Sequence, residues 1–110
     1  MFFDTYASTA EPSSKRGKLP PIEINDTPFN VFDSINRYLD EKQYHDVVAK
    51  EDYLDLFGIK DYFEVSFNIV NNSGKSLLQI SVYSEIKKGK VKKRLKQIYE
   101  EMLDRFDKYL

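Results

Sequence analysis

The sequence predicts an α+β fold: a small antiparallel sheet of about three strands, packed by an N-terminal helix and a long C-terminal helix. Three observations carry that expectation. In YFEVSFNIV, Phe63, Val65, Phe67 and Ile69 alternate with Tyr62, Glu64, Ser66 and Asn68, the period of a half-buried strand. The returning stretch LLQISVYSEI places Leu78, Ile80, Val82 and Ile86 on one face after the turn cluster NNSGK, so the two runs form a hairpin around Gly74. Two further segments, from Pro28 and from about Lys90, carry their apolar residues at helical spacing instead.

Taken in chain order, residues 1–20 are rich in Ser, Thr, Ala, Pro and Lys without a sustained period, which predicts a flexible arm. A single domain is expected over 21–110. Ile22 and Ile24 alternate with Glu23 and Asn25, as in a short strand or an extended lead-in. Thr27-Pro28 is a helix start, because Thr can accept from free N–H groups and Pro28 lacks a donor that the first turn does not need. Val31, Phe32, Ile35, Tyr38 and Leu39 then share one face, and the helix runs to about Glu41.

Residues 43–60 read two ways. A strand near 44–50 followed by a short helix or turn near 51–57, ended by Gly58, is the favoured reading. Tyr44, Val47, Val48, Leu54 and Phe57 also fit a single helix. In the last helix, Val91, Leu95, Ile98, Tyr99, Met102, Leu103, Phe106, Tyr109 and Leu110 make one broad apolar stripe suited to lie across a sheet. Glu101 to Arg105 and Asp104 to Lys108 are favourable i,i+4 pairs.

At 110 residues the chain has room for one domain, and eight Phe with eight Tyr enlarge a core drawn from only 41% hydrophobic residues. The absence of cysteine rules out disulfides, thiolate zinc sites and a cysteine nucleophile, and fits a reducing compartment. No apolar run approaches the roughly 18 residues of a membrane span, and MFFDTYASTAEPSSKRGK lacks the apolar core of a signal peptide. An intracellular, cytoplasmic setting is therefore expected.

Charge is distributed unevenly. The ten residues from Lys87 to Lys96 hold seven basic side chains and no acidic one, so the other hundred sum to -8 against a net charge of -1. This is an acidic domain with one basic end. Lys92, Lys93, Arg94 and Lys96 fall in the first turns of the last helix, where the helix dipole is also positive, and Lys90 stands at about its start. Each such charge costs about 0.3–1 kcal/mol when exposed at low salt. Glu100, Glu101, Asp104 and Asp107 lie toward the opposite, equally unfavourable end. An anion at the helix start would turn that cost into affinity. A solvated charged face is the plain alternative, with Lys93 and Lys96 offset by Glu100.

Read from Pro28, the expected order of helix, three strands and helix resembles a double-stranded RNA-binding domain. Gly89, Lys92, Lys93 and Lys96 have the spacing at which that family places a Gly, a Lys pair and a third Lys at its last helix. Pro28 with Val31 and Phe32 is similar to the family's first-helix start, and Tyr44 with Val47 and Val48 to its first strand. The resemblance implies lysines gripping phosphates across a duplex RNA groove. The family's Gly-Pro-x-His loop has no counterpart, since LFGIKD stands there, and its last helix is Ala-rich where this one carries Leu, Ile, Tyr and Met. A second resemblance, through PFNVFDSINRYL and FEV, is to kinase-associated C-terminal domains, and implies docking to acidic membranes or regulatory proteins. A strand-then-helix stretch, IEINDTPFNVFDSI, is also similar to ligand-holding helix-grip folds, although few strands are present to wrap a cavity.

Other motifs carry less. Gly74-Lys75-Ser76 matches the end of a P-loop, but Ile69 stands where the first Gly is required and a strand follows, so it reads as a turn. His45 is the only histidine, and the nearby Asp46, Asp52 and Asp55 read as a solvated face rather than an acid–base group. Tyr62 and Tyr83 are expected on the outward faces of neighbouring strands, as a cross-strand pair or an interaction surface. The sequence thus predicts a non-catalytic binding module without cofactor or metal. Its expected partner is duplex RNA or another protein, with an acidic membrane surface as a third, inside a larger assembly. The expected anion-binding residues are Lys90, Lys92, Lys93, Arg94 and Lys96.

Overall fold

The computed structural model describes residues 4–9 and 19–107. The α+β class holds, but the expected three-stranded sheet is corrected to six antiparallel strands with two helices. The strands are β1 (Tyr6–Ser8), β2 (Ile22–Ile24), β3 (His45–Lys50), β4 (Asp55–Lys60), β5 (Phe63–Asn72) and β6 (Lys75–Tyr83), and the helices are α1 (Pro28–Glu41) and α2 (Val91–Asp107). The sheet runs β1, β6, β5, β4, β3 across its width, and β2 also pairs with β6.

Two strands account for most of the correction. Strand β4 occupies the stretch expected to be a short helix or turn; only Glu51–Tyr53 form a single 3-10 turn there. Gly58 does not end a helix but lies mid-strand on the inner face, where a Cβ would come within 3.1 Å of the Tyr44 ring and 3.4 Å of Leu39. The missing side chain makes room for Tyr44 to pack on the sheet. Strand β1 arises inside the expected flexible arm. Tyr6–Ser8 pairs with Tyr83–Ser81, and Ile22–Ile24 pairs with Leu78–Ser76 in the same sense, so β1 and β2 are two halves of one interrupted edge strand. Residues 1–3 and 10–18 of the expected arm lie outside the described residues.

The central hairpin matches the alternation that predicted it. Val65, Phe67 and Ile69 stand opposite Val82, Ile80 and Leu78, and all six are buried. The turn is Ser73-Gly74, both at positive φ, with the Asn71 side chain accepting from the Gly74 N–H at 2.9 Å. Ile86, expected on the same inner face, lies beyond the end of β6 and is 69% exposed. Both helices cover the inner face, α1 over β4 and β5, α2 over β6 and β1. Thr27 caps α1 as expected, accepting from Asn30 N–H at 3.4 Å, and Asp26 reinforces the start by accepting from Thr27 N–H at 2.8 Å.

Val31, Ile35, Tyr38 and Leu39 of α1, and Val91, Leu95, Ile98, Met102 and Phe106 of α2, close the core. Burial of each large aliphatic or aromatic side chain contributes about 1.5–3 kcal/mol, which makes this helix–sheet layer the main source of stability. Leu103, expected in the apolar stripe, is instead 45% exposed. Tyr109 and Leu110, and the Asp104–Lys108 pair, fall outside the described residues.

A polar latch joins the helices. The Tyr38 hydroxyl donates to Glu101 at 2.8 Å, and Arg105 donates from Nε to Ser34 at 2.8 Å and from its terminal nitrogens to Glu41 at 3.0 and 3.4 Å. Arg105 therefore pairs across to α1 rather than with Glu101 on its own helix. Its hydrogen bonds hold the Glu41 carboxyl below the ordinary range. Burial pushes the Tyr38 phenol well above its ordinary pKa, helped by the neighbouring Tyr44 and by Glu101. Among the described residues no helix is long and apolar enough to cross a membrane.

Candidate anion-binding site

The basic run forms the loop after β6 and the first turns of α2. Gly89 is at φ 80, a left-handed backbone that favours glycine, and its N–H donates to the Asp4 carbonyl at 2.9 Å. The loop is held from its other side by Ser84, whose hydroxyl donates to the Tyr62 carbonyl at 2.6 Å and accepts from Lys87 N–H at 2.9 Å. The helix then opens with Arg94 N–H donating to the Lys90 carbonyl at 3.1 Å.

The expected site residues divide into two groups. Arg94 and Lys92 point to opposite flanks of the helix and are tied down. Arg94 reaches Asp61 at 3.3 Å and lies 4.5 Å from the centre of the Phe63 ring, leaving its side chain only 20% exposed. Lys92 meets Asp4 at 3.4 Å. Lys90, Lys93 and Lys96 are exposed and make no ion pair among the described residues. The offset by Glu100 expected of a plain charged face is not formed there. Lys93 and Lys96 lie opposite the buried stripe of Val91, Leu95 and Ile98, so their charges face solvent together.

The aromatic pair is rearranged. Tyr62 is not on a strand face; it sits with Asp61 in the two-residue turn between β4 and β5, where both residues have positive φ. Its 64% exposed ring receives the Lys87 ammonium at 5.9 Å. Tyr83 is on the outer face as expected, but its cross-strand neighbours are Tyr6 and Glu64, and its hydroxyl donates to Glu85 at 2.6 Å. The pair on the outer face is thus Tyr6 with Tyr83.

Sequence reasoning missed Asp4 and Asp61, and placed Tyr6 in a flexible arm from which it could dock. Asp4 and Tyr6 lay in a segment without periodicity. Asp61 begins a tight turn with Tyr rather than Gly in its second place, so the usual turn signal was absent. Beyond this end of the molecule, His45 is exposed beside Asp46 at 2.8 Å, and no group of three or more potential metal ligands is found among the described residues. Compared with protein-family models, characterised proteins and solved structures, the chain matches none.

Proposed function

We propose that this chain is a non-catalytic binding module whose basic end contacts the phosphates of an anionic partner, with duplex RNA as the leading ligand. The observation that carries the reading is the set Lys90, Lys93 and Lys96: three exposed ammonium groups, unpaired among the described residues, around a helix start whose own partial charge is positive. Lys92 adds a fourth charge by releasing Asp4, since that pair is largely exposed and worth at most about 1 kcal/mol. The spacing of Gly89, Lys92, Lys93 and Lys96 supports duplex RNA through its similarity to double-stranded RNA-binding domains. Four strands between the helices, instead of three, depart from that family's order. The proposal therefore rests on the helix end alone and claims no further RNA-contacting surface. Phosphate contact without base contact predicts shape-directed, sequence-independent binding.

A second reading is favoured by a different observation. The helices cover one face of the sheet and leave the other open, and this outer face carries Tyr6, Tyr83 and Phe57 beside a shallow concavity of about 580 Å³. Such a face suits a protein partner in a larger intracellular assembly, as the resemblance to kinase-associated C-terminal domains implies. The two readings separate in one titration. Duplex RNA, single-stranded RNA, anionic vesicles and neutral vesicles are offered at low and high salt to the wild type and to Lys93→Glu/Lys96→Glu. Salt-sensitive duplex binding lost in the variant supports the first reading. No salt-sensitive binding to any anion leaves the sheet face as the better candidate.

A further inference from the structure

The charge order along α2 has a use that anion binding does not explain. Lys90, Lys93, Gln97, Glu100 and Asp104 recur at alternating spacings of three and four, and all five are exposed, so they form one straight outward seam. The seam is basic at one end, neutral at Gln97 and acidic at the other. Beside its acidic end lies a groove of about 460 Å³ between β2 and the end of α2. Its walls include the buried Ile22, Ile24 and Phe106, with Glu23, Glu100 and Asp104 on its rim. At the opposite end of the helix, Ile86 is 69% exposed on a loop that also carries Lys87, Lys88 and Lys90. An apolar knob flanked by Lys87, Lys88, Lys90 and Glu85, which pairs with Lys88, and an apolar groove with Glu23, Glu100 and Asp104 on its rim stand at the two ends of one helix.

We propose that two copies of this chain associate about a two-fold axis near Gln97, with their α2 helices antiparallel. Each copy's Ile86 then seats in the other's β2–α2 groove. Reversing one helix on the other brings Lys90 opposite Asp104 and Lys93 opposite Glu100, twice over, because both pairs are centred close to Gln97. The contact is isologous, so it closes at two copies and does not propagate. The polarity that is unfavourable for an isolated helix becomes complementary when the helix meets its own reverse. The inference goes beyond the anion-binding reading and does not rest on it, and a dimer and a bound phosphate compete for Lys90 and Lys93. Self-association is measured in the absence of nucleic acid and lipid, so either idea can fail alone.

The test is sedimentation equilibrium of the full chain from micromolar to millimolar concentration at low salt. A monomer–dimer equilibrium is expected, weakened by salt and weakened at least tenfold by Ile86→Asp. The decisive samples are Lys90→Glu and Asp104→Lys. Each alone places like charges opposite one another and is expected to be monomeric. Mixed, every pair is complementary again, and a heterodimer is expected to form. A wild type that stays monomeric throughout, association beyond two copies, or a mixture that fails to associate while both variants remain folded by circular dichroism overturns the proposal.

Discussion

Arg94 stands 3.3 Å from Asp61, with its guanidinium 4.5 Å from the centre of the Phe63 ring. This clamps the start of α2 onto the β4–β5 turn and removes one of the most prominent charges from the pool open to a ligand. Arg94→Ala is expected to lower stability by about 1 kcal/mol, combining an exposed ion pair with a cation–π contact. Affinity for duplex RNA should change far less than in Lys93→Glu. Chemical denaturation and RNA titration of both variants provide the check. Loss of RNA binding in Arg94→Ala without loss of stability would reverse the assignment.

The Tyr38–Glu101 bond makes a pH prediction. The folded state holds the Tyr38 proton above the ordinary phenol pKa, whereas the unfolded chain releases it near pH 10. The stabilisation is complete below that pH and is lost as pH rises, because the unfolded state then binds fewer protons than the folded one. Where only the unfolded phenol is ionised, Tyr38 contributes a slope of about 1.4 kcal/mol per pH unit. Tyr44, Tyr83 and Tyr99 are shifted in the same direction. Tyr38→Phe should therefore cost about 1 kcal/mol at neutral pH and flatten, without abolishing, the decline above pH 10. Urea denaturation across an alkaline pH series measures both.

Gly58 and Tyr44 share one space, so a side chain at Gly58 must displace the ring. Gly58→Val is expected to cost about 1–3 kcal/mol, the usual range for overpacking. Adding Tyr44→Ala should recover part of that loss. Two independent, additive losses in a thermal-denaturation cycle would show that the ring is not what the glycine accommodates.

Strand β1 is short, yet its neighbours use it at both ends. Ser84 N–H donates to Thr5 and Thr9 N–H donates to Ile80, each at 2.9 Å, and Gly89 donates to Asp4. Deleting residues 1–9 should expose the edge of β6 and free the loop before α2. The amides of Ser84 and Gly89 are expected to lose hydrogen-exchange protection by an order of magnitude or more. Unchanged exchange at both would return the segment to the status of a free arm.

What the sequence revealed followed the strength of its periodic signals. The β5–β6 hairpin and α1 were legible because their core residues recur at periods of two and 3.6, with Gly74 and Thr27-Pro28 marking the boundaries. Strand β4 was hidden because Leu56 and Gly58 face inward while Phe57 and Ile59 face outward, so one face held a glycine and the other was apolar. Strand β1 was hidden because only its central Ala7 faces inward, between Tyr6 and Ser8, so it shows no apolar alternation of the kind Ile22 and Ile24 give β2. At the basic end the lysines were visible, but their division was not. Asp4 and Asp61 neutralise Lys92 and Arg94 from positions 88 and 33 residues away in sequence, a relationship only the folded sheet creates.

Lys93 and Lys96, with Lys90, are the proposed phosphate contacts. The most direct measurement is the dependence of duplex-RNA affinity on salt for the wild type and Lys93→Glu/Lys96→Glu. Each phosphate contact contributes roughly 0.9 to the slope of log K against log salt, the value for duplex DNA. Phosphate contact by Lys90, Lys93 and Lys96, with Lys92 released from Asp4, predicts a wild-type slope of about −3.6 and a drop in its magnitude of about two in the variant, whose thermal stability should be no lower than that of the wild type. Equal slopes and equal affinities for the two proteins would contradict it.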